Sequence, residues 1–319
     1  MTDIHALAVA KLSPMFVSQL ATAFTLHDRL HETDPAAFAA LAPRIRALAA
    51  SGDSKVSAEL MATLPALEVI SVMGVGYDGI AVQAAKARGI VVTHTPGVLN
   101  DDVADLALGL MLCAARQLPA ADRHAREGSW LQAPMPLARK MSGARLGLVG
   151  IGRIGQAIAS RAAAFGMSIA YTARSARPGL PFPFFDSPRA LAAEVDFLVV
   201  ITPGGADTRH LIDAEVLRAL GKGRGEGILV NVARGSVVDE AALIDALERG
   251  VIAGAGLDVF EDEPRIPVRL SALPHVVLTP HIGSATGQTR QAMADLAFAN
   301  LREHFAGRPL PTPVPECRG

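Results

Sequence analysis

The sequence predicts an α/β protein with two doubly wound parallel-sheet domains. Three observations carry this reading. Short apolar runs alternate with helical segments almost from end to end, the pattern of layered βαβ units. A length of 319 residues is long for one domain and suits two, each with its own core. The alternation breaks at Thr95-Pro96-Gly97, where proline and glycine disfavour a continuing element, and starts again further on.

In the first series the strands are expected at residues 6–10, 23–27, 45–49, 69–73 and 90–93, enough for a small flavodoxin-like domain. Asn100-Asp-Asp then opens a long helix, expected to run to about Arg126, with its acids at the positive end of the helix dipole. The second series has strands expected at 144–149, 168–172, 197–201, 228–232, 254–257 and 276–278. Six strands with intervening helices fit a Rossmann domain. Residues 285–305 have helical periodicity and fall outside that count, so the chain is expected to leave the first domain, build the second and return. The expected boundaries are 1–95 with 285–319, and 96–284, with an interdomain cleft and a hinge where the chain crosses.

Half the residues are apolar, 19% are charged and the formal net charge is −1. That balance offers no electrostatic footprint for nucleic acid or an anionic membrane. One Trp and two Tyr make a base-stacking surface implausible. The two cysteines, Cys113 and Cys317, are far apart and form neither a disulfide framework nor a metal cluster, which fits a reducing cytoplasm. The N-terminus lacks a basic region followed by a long apolar core, so no signal peptide is expected. The apolar run at 103–115 holds Asp105 and is too short for a bilayer span.

Gly150, Gly152 and Gly155 satisfy Gly-x-Gly-x-x-Gly between a buried-strand pattern and an amphipathic helix. In that context Gly150 makes the tight turn, Gly152 lets the backbone approach a pyrophosphate, and Gly155 lets helix and strand pack closely. At the end of the next strand, where an acid commonly holds the ribose 2′-hydroxyl, stand Ala173, Arg174 and Ser175. Alanine removes the repulsion of a 2′-phosphate, while the guanidinium and the hydroxyl both suit it. The expected cofactor is therefore NADP, with NADPH preferred over NADH. A surface arginine following a strand is the plainer explanation, and the position favours the functional one.

Four more stretches fall at strand ends: Asn231-Val-Ala-Arg-Gly235, Gly256-Leu-Asp-Val-Phe260, Glu261-Asp-Glu-Pro264 and Thr279-Pro-His-Ile-Gly-Ser284. Singly, Arg234 reads as a solvated loop charge, Asp258 as a cap, Glu263 as a surface acid and His281 as a loop histidine. Together they suit the reduction of a 2-keto acid. An arginine clamps the carboxylate and polarises the carbonyl, a histidinium delivers the proton, and a carboxylate keeps that histidine charged and oriented.

With these residues in hand, the chain resembles the D-isomer-specific 2-hydroxyacid dehydrogenases, most of all their NADPH-using glyoxylate/hydroxypyruvate reductases. The likeness covers nearly the whole chain. It includes Gly74-Val-Gly-Tyr-Asp-Gly79, Asn100-Asp-Asp-Val-Ala-Asp105, the glycine turn, Arg234-Gly-Ser-Val-Val-Asp-Glu240 and the run from Pro280 to Thr286. It implies Arg234 as substrate arginine, His281 as acid/base and Glu263 as its partner. It implies that backbone amides at Val75 and Gly76 hold the substrate carboxylate, with Ser284 close by. For the cofactor it implies Val103, Ile151, Arg153 and Ile154 around the glycine turn. Thr202, Pro203, Thr208, Val232 and Ala233 would line the cleft with Arg234, His281 and Gly283, and Asp258 would bind the nicotinamide carboxamide. No metal is implied. The implied assembly is a homodimer, with the segment around Trp130 near an arm that approaches the partner subunit's active site.

The chain departs from the family's common pattern at Asp105 (often Glu), at Ala173 (often Asp) and in a slightly long Gly221-Lys-Gly-Arg-Gly-Glu-Gly227 loop. Within the family, hydroxyphenylpyruvate reductase and phosphoglycerate dehydrogenase are the alternatives. The latter usually prefers NAD, needs basic groups for a substrate phosphate and often carries a regulatory domain, for which 319 residues are expected to leave no room. Formate dehydrogenase is disfavoured, because glutamine stands there in the place of Glu263. Outside enzymes, the alternative is a nucleotide-sensing interaction protein like the family's corepressors, but no extended tail or basic segment supports it.

Overall fold

The computed structural model describes residues 4–318 and divides the chain into two compact units. One holds the residues up to Leu99 together with those from Ser284 on, and the other spans Asn100–Gly283. In the first unit the strands are β1 (His5–Ala8), β2 (Thr25–Asp28), β3 (Ile45–Ser51), β4 (Val69–Met73) and β5 (Val91–Thr93). They pair in parallel in the order β2-β1-β3-β4-β5, the flavodoxin-like arrangement. The registers explain the core. Leu7, Leu48, Ile70 and Val92 lie side by side across four strands, and all are fully buried. Helices cover both faces of a parallel sheet, so its strands read as continuous apolar runs.

The second unit contains β6 (Arg145–Val149), β7 (Ser168–Thr172), β8 (Phe184–Phe185), β9 (Phe197–Val200), β10 (Ile228–Asn231), β11 (Gly254–Leu257) and β12 (Val276–Leu278). Their order is β12-β11-β10-β9-β6-β7-β8, a Rossmann sheet with a seventh strand. Leu229 pairs in register with Leu198 on one side and Ala255 on the other, all three fully buried. The strand order reverses between β6 and β9, and the crevice beyond their C-terminal ends is where such sheets bind ligands.

Two expectations need correction. Six strands were expected here and seven form. The extra one, Phe184–Phe185, pairs with Tyr171 and Thr172 at the sheet edge. Pro181 and Pro183 give its surroundings the look of a loop, and an edge strand is where prolines are tolerated. The long helix also does not reach Arg126 in one piece. It breaks into Asn100–Arg116 and Leu118–Arg126, bent by 59°. Gln117 is left-handed at φ 52°, and Pro119 in the next turn has no N–H for the Ala115 carbonyl, which accepts from the backbone N–H of Arg139 at 2.9 Å. Among the described residues no single helix is long and apolar enough to cross a membrane.

The last helix, Gly287–Phe305, starts at a Thr286 cap whose side chain accepts from the N–H of Thr289, and it packs in the first unit. The buried hydroxyl of Ser71 on β4 donates to the carbonyl of Ala297 at 2.9 Å. Asn300, fully buried, donates to the Thr312 hydroxyl at 2.8 Å and accepts from its backbone N–H at 3.0 Å. Thr312 in turn accepts at its carbonyl from the N–H of His94, and so ties the C-terminal strap to the end of β5. Replacing Asn300 by leucine keeps the branched shape but strips a buried N–H of its acceptor. The expected cost is about 1–3 kcal/mol of stability, read as a lower urea midpoint. An unchanged midpoint would show that helix and strap hold together without this bond.

Candidate active site

The second unit gathers its chemistry on the turns that leave the C-terminal strand ends. After β6, Gly150 has φ 104°, and a Cβ there would lie 2.7 Å from the carbonyl oxygen of Ile201. At Gly155 a Cβ would lie 2.6 Å from the carbonyl oxygen of Gly150, so the helix Arg153–Ala164 presses directly on the turn. Gly152, the residue that caps this helix, differs: a Cβ there would meet nothing within 4 Å. Two glycines are needed for the protein's own packing, while the third faces open space at a helix N-terminus. That is the arrangement a pyrophosphate requires. Ile151 is buried beside it, Arg153 is exposed and Ile154 is partly buried.

Beyond β7, Ala173 is partly covered while Arg174 and Ser175 are exposed. The chain then bends back so that the backbone N–H of Arg177 donates to the Tyr171 hydroxyl at 2.7 Å. Thr202 and Pro203 follow β9, and the Thr208 hydroxyl donates to the carbonyl of Pro203 at 2.8 Å, closing that loop. At the end of β10 the buried Asn231 shapes the turn that follows. Its Oδ1 accepts from the N–H of Ala233 and its Nδ2 donates to the carbonyl of Arg234, both at 3.0 Å. Val232 and Ala233 are buried and Arg234 emerges, one Nη donating to the carbonyl of Ala233 at 2.8 Å. Gly235 lies so close to Phe260 that a Cβ would overlap its carbonyl.

Asp258 follows β11 and is 2% exposed. Its Oδ1 accepts from the Thr279 hydroxyl at 2.7 Å and the Ile282 N–H at 2.8 Å, and its Oδ2 from the Gly283 N–H at 2.8 Å. Its carbonyl accepts from the N–H of His281 at 2.9 Å. The loop 279–283 is thereby wrapped around one carboxylate, and His281 sits at φ 53°, a left-handed conformation uncommon outside glycine. Val103 lines the space next to Gly283.

This strained turn brings His281 Nδ1 to 2.7 Å from Oε2 of Glu263, whose Oε1 accepts from the Phe260 N–H at 3.0 Å. The hydrogen bond to Glu263, with that carboxylate's charge, raises the pKa of His281 against the lowering effects of burial and of Arg234. Burial works to raise the carboxyl of Glu263, but the bond and charge of His281, the Phe260 N–H and Arg234 leave it below the usual value. Glu263 is thus an anion and His281 leans towards imidazolium. Arg234, Glu263 and His281 therefore share one region of the second unit. The residues expected to hold a substrate carboxylate belong to the first unit: Val75 and Gly76 follow β4 after Gly74, and Ser284 opens the returning segment. The carbonyl of Val75 lies 3.0 Å from Nδ1 of His94, which fixes that loop. Among the described residues, no group of three or more His, Cys, Asp or Glu is placed to hold a metal ion.

The D-isomer specific 2-hydroxyacid dehydrogenase NAD-binding domain model matches residues 108–283. The hydroxyphenylpyruvate reductase of Plectranthus scutellarioides is 42% identical over 315 residues, covering 98% of this chain and 100% of that protein. The glyoxylate/hydroxypyruvate reductase A of Arabidopsis thaliana is 46% identical over 270 residues, 85% of each chain. A crystal structure of the NADPH-dependent glyoxylate/hydroxypyruvate reductase of Sinorhizobium meliloti, in complex with NADP and malonate, superposes with a TM-score of 0.93 at 45% identity, covering 99% of this chain and 98% of that one.

The chain belongs to the D-isomer specific 2-hydroxyacid dehydrogenases.

Two residues of this 2-hydroxyacid dehydrogenase do more than the sequence pattern alone shows. Asn231 carries no catalytic or binding signature, although an asparagine ending a buried strand is a signal for a side chain that shapes the following turn. For Asp258 the sequence pattern offers a cap and the family resemblance a cofactor ligand. The three bonds it accepts make it the anchor of the His281 turn, and a carboxylate's roughly four acceptor sites leave one for a ligand. The glycine turn yields a paired prediction. Gly152→Ala should leave stability within about 0.5 kcal/mol of wild type but weaken binding of the dinucleotide, because its methyl enters the open space. Gly155→Ala should cost about 1–3 kcal/mol in stability through overpacking. Calorimetric titration with NADPH beside thermal melts checks both. Equal losses of stability in the two variants would contradict the division of roles.

Proposed function

We propose that this enzyme reduces small 2-keto acids, glyoxylate and hydroxypyruvate first among them, to 2-hydroxy acids with NADPH. The observation that carries the proposal is the 2.7 Å pair of His281 and Glu263 beside Arg234, on a sheet built to bind a dinucleotide. In keto-acid reduction the carbonyl carbon accepts a hydride and its oxygen a proton. The bound cofactor supplies the hydride. Arg234 offers its guanidinium to the substrate's carboxylate and carbonyl oxygen, drawing electron density towards the latter. His281 gives up the proton of Nε2 to that oxygen, while Glu263 holds Nδ1–H and stabilises the cation until the transfer. In the reverse direction the neutral imidazole takes the proton back.

In this proposal the second unit is the cofactor domain and the first the substrate domain, where Val75 and Gly76 offer backbone N–H groups to a carboxylate. Thr202, Pro203, Thr208, Val232 and Ala233 flank the nicotinamide half of the cofactor, with the free acceptor site of Asp258 for its carboxamide. Arg174 and Ser175 take the 2′-phosphate, and Ala173 keeps a competing carboxylate away. The working assembly is a homodimer, supported by the exposure of Trp130, Leu131 and Leu137 at 73%, 94% and 101%, since large apolar side chains so open to water favour a partner surface. It operates in the cytoplasm, where Cys113 and Cys317 remain thiols. A spectrophotometric panel of glyoxylate, hydroxypyruvate and hydroxyphenylpyruvate with NADPH and with NADH tests the reading. No turnover of any keto acid would favour a nucleotide-sensing role instead.

Arg174→Ala removes one charge-assisted bond, worth about 1.5–3 kcal/mol. NADPH affinity should fall roughly 10- to 150-fold while NADH affinity hardly changes. Equal losses for both cofactors would dismiss Arg174 as the 2′-phosphate ligand.

The pH dependence follows from the raised pKa of His281. Reduction needs the imidazolium, so it should persist above the free-histidine value of about 6.5 and then decline, while oxidation rises over the same range. Glu263→Gln keeps the shape without the charge and should move the reduction limb to lower pH. His281→Ala should lower turnover on the order of 10²- to 10⁴-fold with cofactor binding nearly intact. Profiles of kcat/KM against pH check this, and a limb that stays in place in Glu263→Gln would show that Glu263 is not the partner of the acid.

A further inference from the structure

The two loops that carry Arg234 and Glu263 are joined by a third, which supplies no group to the chemistry above. It runs from Arg209 to Asp213, after β9. Its backbone pairs with the turn beyond Arg234: the His210 N–H donates to the Ser236 carbonyl at 2.8 Å and the Ile212 N–H to the Val237 carbonyl at 3.0 Å. Its side chains reach the other loop. Arg209 donates to Oε1 of Glu261 at 2.7 Å, and His210 Nε2 meets the same oxygen at 2.9 Å. To do so, His210 adopts φ 51°, the left-handed region that a histidine enters only at a cost in strain.

Glu261 is held at its backbone as well, its N–H donating to Oε1 of Glu240 at 3.2 Å. Its neighbour Phe260 is pinned against Gly235 and gives its N–H to Oε1 of Glu263. An unbroken path of contacts thus runs from Arg209 and His210 through Glu261 and Phe260 to Glu263, and from Glu263 to His281. The charged and titratable groups facing Glu261 are Arg209, His210 and Glu240, with Asp262 acting beside Glu261 on Glu240 and Asp239 4.0 Å from the far nitrogen of His210. Those facing His281 are Glu263, Arg234 and Asp258.

We propose that Glu261, held by Arg209 and His210, is a positioning residue that sets the loop on which Glu263 meets His281. An exposed ion pair alone contributes little to stability. Here two donors converge on one oxygen, one of them from a strained backbone, and the acceptor lies two residues before Glu263. Glu261 touches neither substrate nor cofactor in this scheme. It acts through Glu263. The inference rests on the proposed roles of Glu263 and His281.

The test compares kcat/KM for glyoxylate against pH in wild type, Glu261→Ala, Glu261→Gln, Glu263→Gln and the Glu261→Ala/Glu263→Gln double variant. Misplacing the loop in Glu261→Ala should lower kcat by on the order of 10- to 100-fold, with the KM for NADPH little changed. Its reduction limb should move to lower pH, as in Glu263→Gln. Glu261→Gln, which still accepts both N–H groups, should restore part of the rate and of the limb. The double variant should show no shift beyond that of Glu263→Gln, because both act through one contact. If Glu261→Ala does not fold, Glu261→Gln and His210→Asn carry the same comparison. A limb that moves in Glu263→Gln but not in the Glu261 variants overturns the positioning role alone. So do shifts that add in the double variant. A limb that stays in place in Glu263→Gln overturns the underlying reading and the positioning role with it.

Discussion

One buried carboxylate organises the turn that carries His281 in the second unit. Asp258 accepts two backbone N–H groups and a hydroxyl from the loop 279–283, and its own carbonyl takes the N–H of His281. Hydrogen bonds to a charged group contribute about 1.5–3 kcal/mol each. Holding a non-glycine residue in the left-handed region costs roughly 1–2 kcal/mol. The bonds outweigh the strain, so His281 stays at φ 53° with its ring against Glu263. The raised pKa of His281 therefore rests on a backbone shape that a different side chain enforces.

The Rossmann sheet explains why these groups meet at all. Parallel strands in register end at one edge, so turns far apart in sequence leave the sheet together. Gly150, Ala173, Thr202, Arg234 and Asp258 each lie within a few residues of a strand's C-terminal end. Asn231 then shapes the Arg234 turn and Asp258 the His281 turn, while the glycines after β6 bring helix and strand close enough to leave a bare helix N-terminus. Arg234 and Glu263 are held by bonds within their own turns, and His281 by Asp258 and Glu263 from the stretch that follows β11.

Much of this was legible in the sequence where the chemistry is local. Strand positions follow from apolar runs that only a doubly covered parallel sheet can bury. The glycine spacing names three separate steric demands, and arginine, acid and histidine at strand ends suit one reaction. What the sequence hid depends on contacts across the chain. Phe184 and Phe185 form a strand only because β7 offers them an edge, and the prolines around them argue for a loop. The break at Gln117 rests on one left-handed residue and on Arg139, which takes up a carbonyl from a distance of more than twenty residues in sequence. Neither the pairing of Glu261 with His210 nor the turn-holding role of Asp258 has a sequence signature, because polar side chains at loop positions are common and only the fold chooses their partners.

The most direct test of the central claim, that a strained turn and a carboxylate make His281 an imidazolium acid, is an NMR titration of its ring in the wild-type protein. A single labelled histidine signal is assigned by comparison with His281→Ala. The expected midpoint lies above the free-histidine value of about 6.5. A midpoint at or below that value would mean that burial and Arg234 dominate over Glu263, and would contradict the proposed acid.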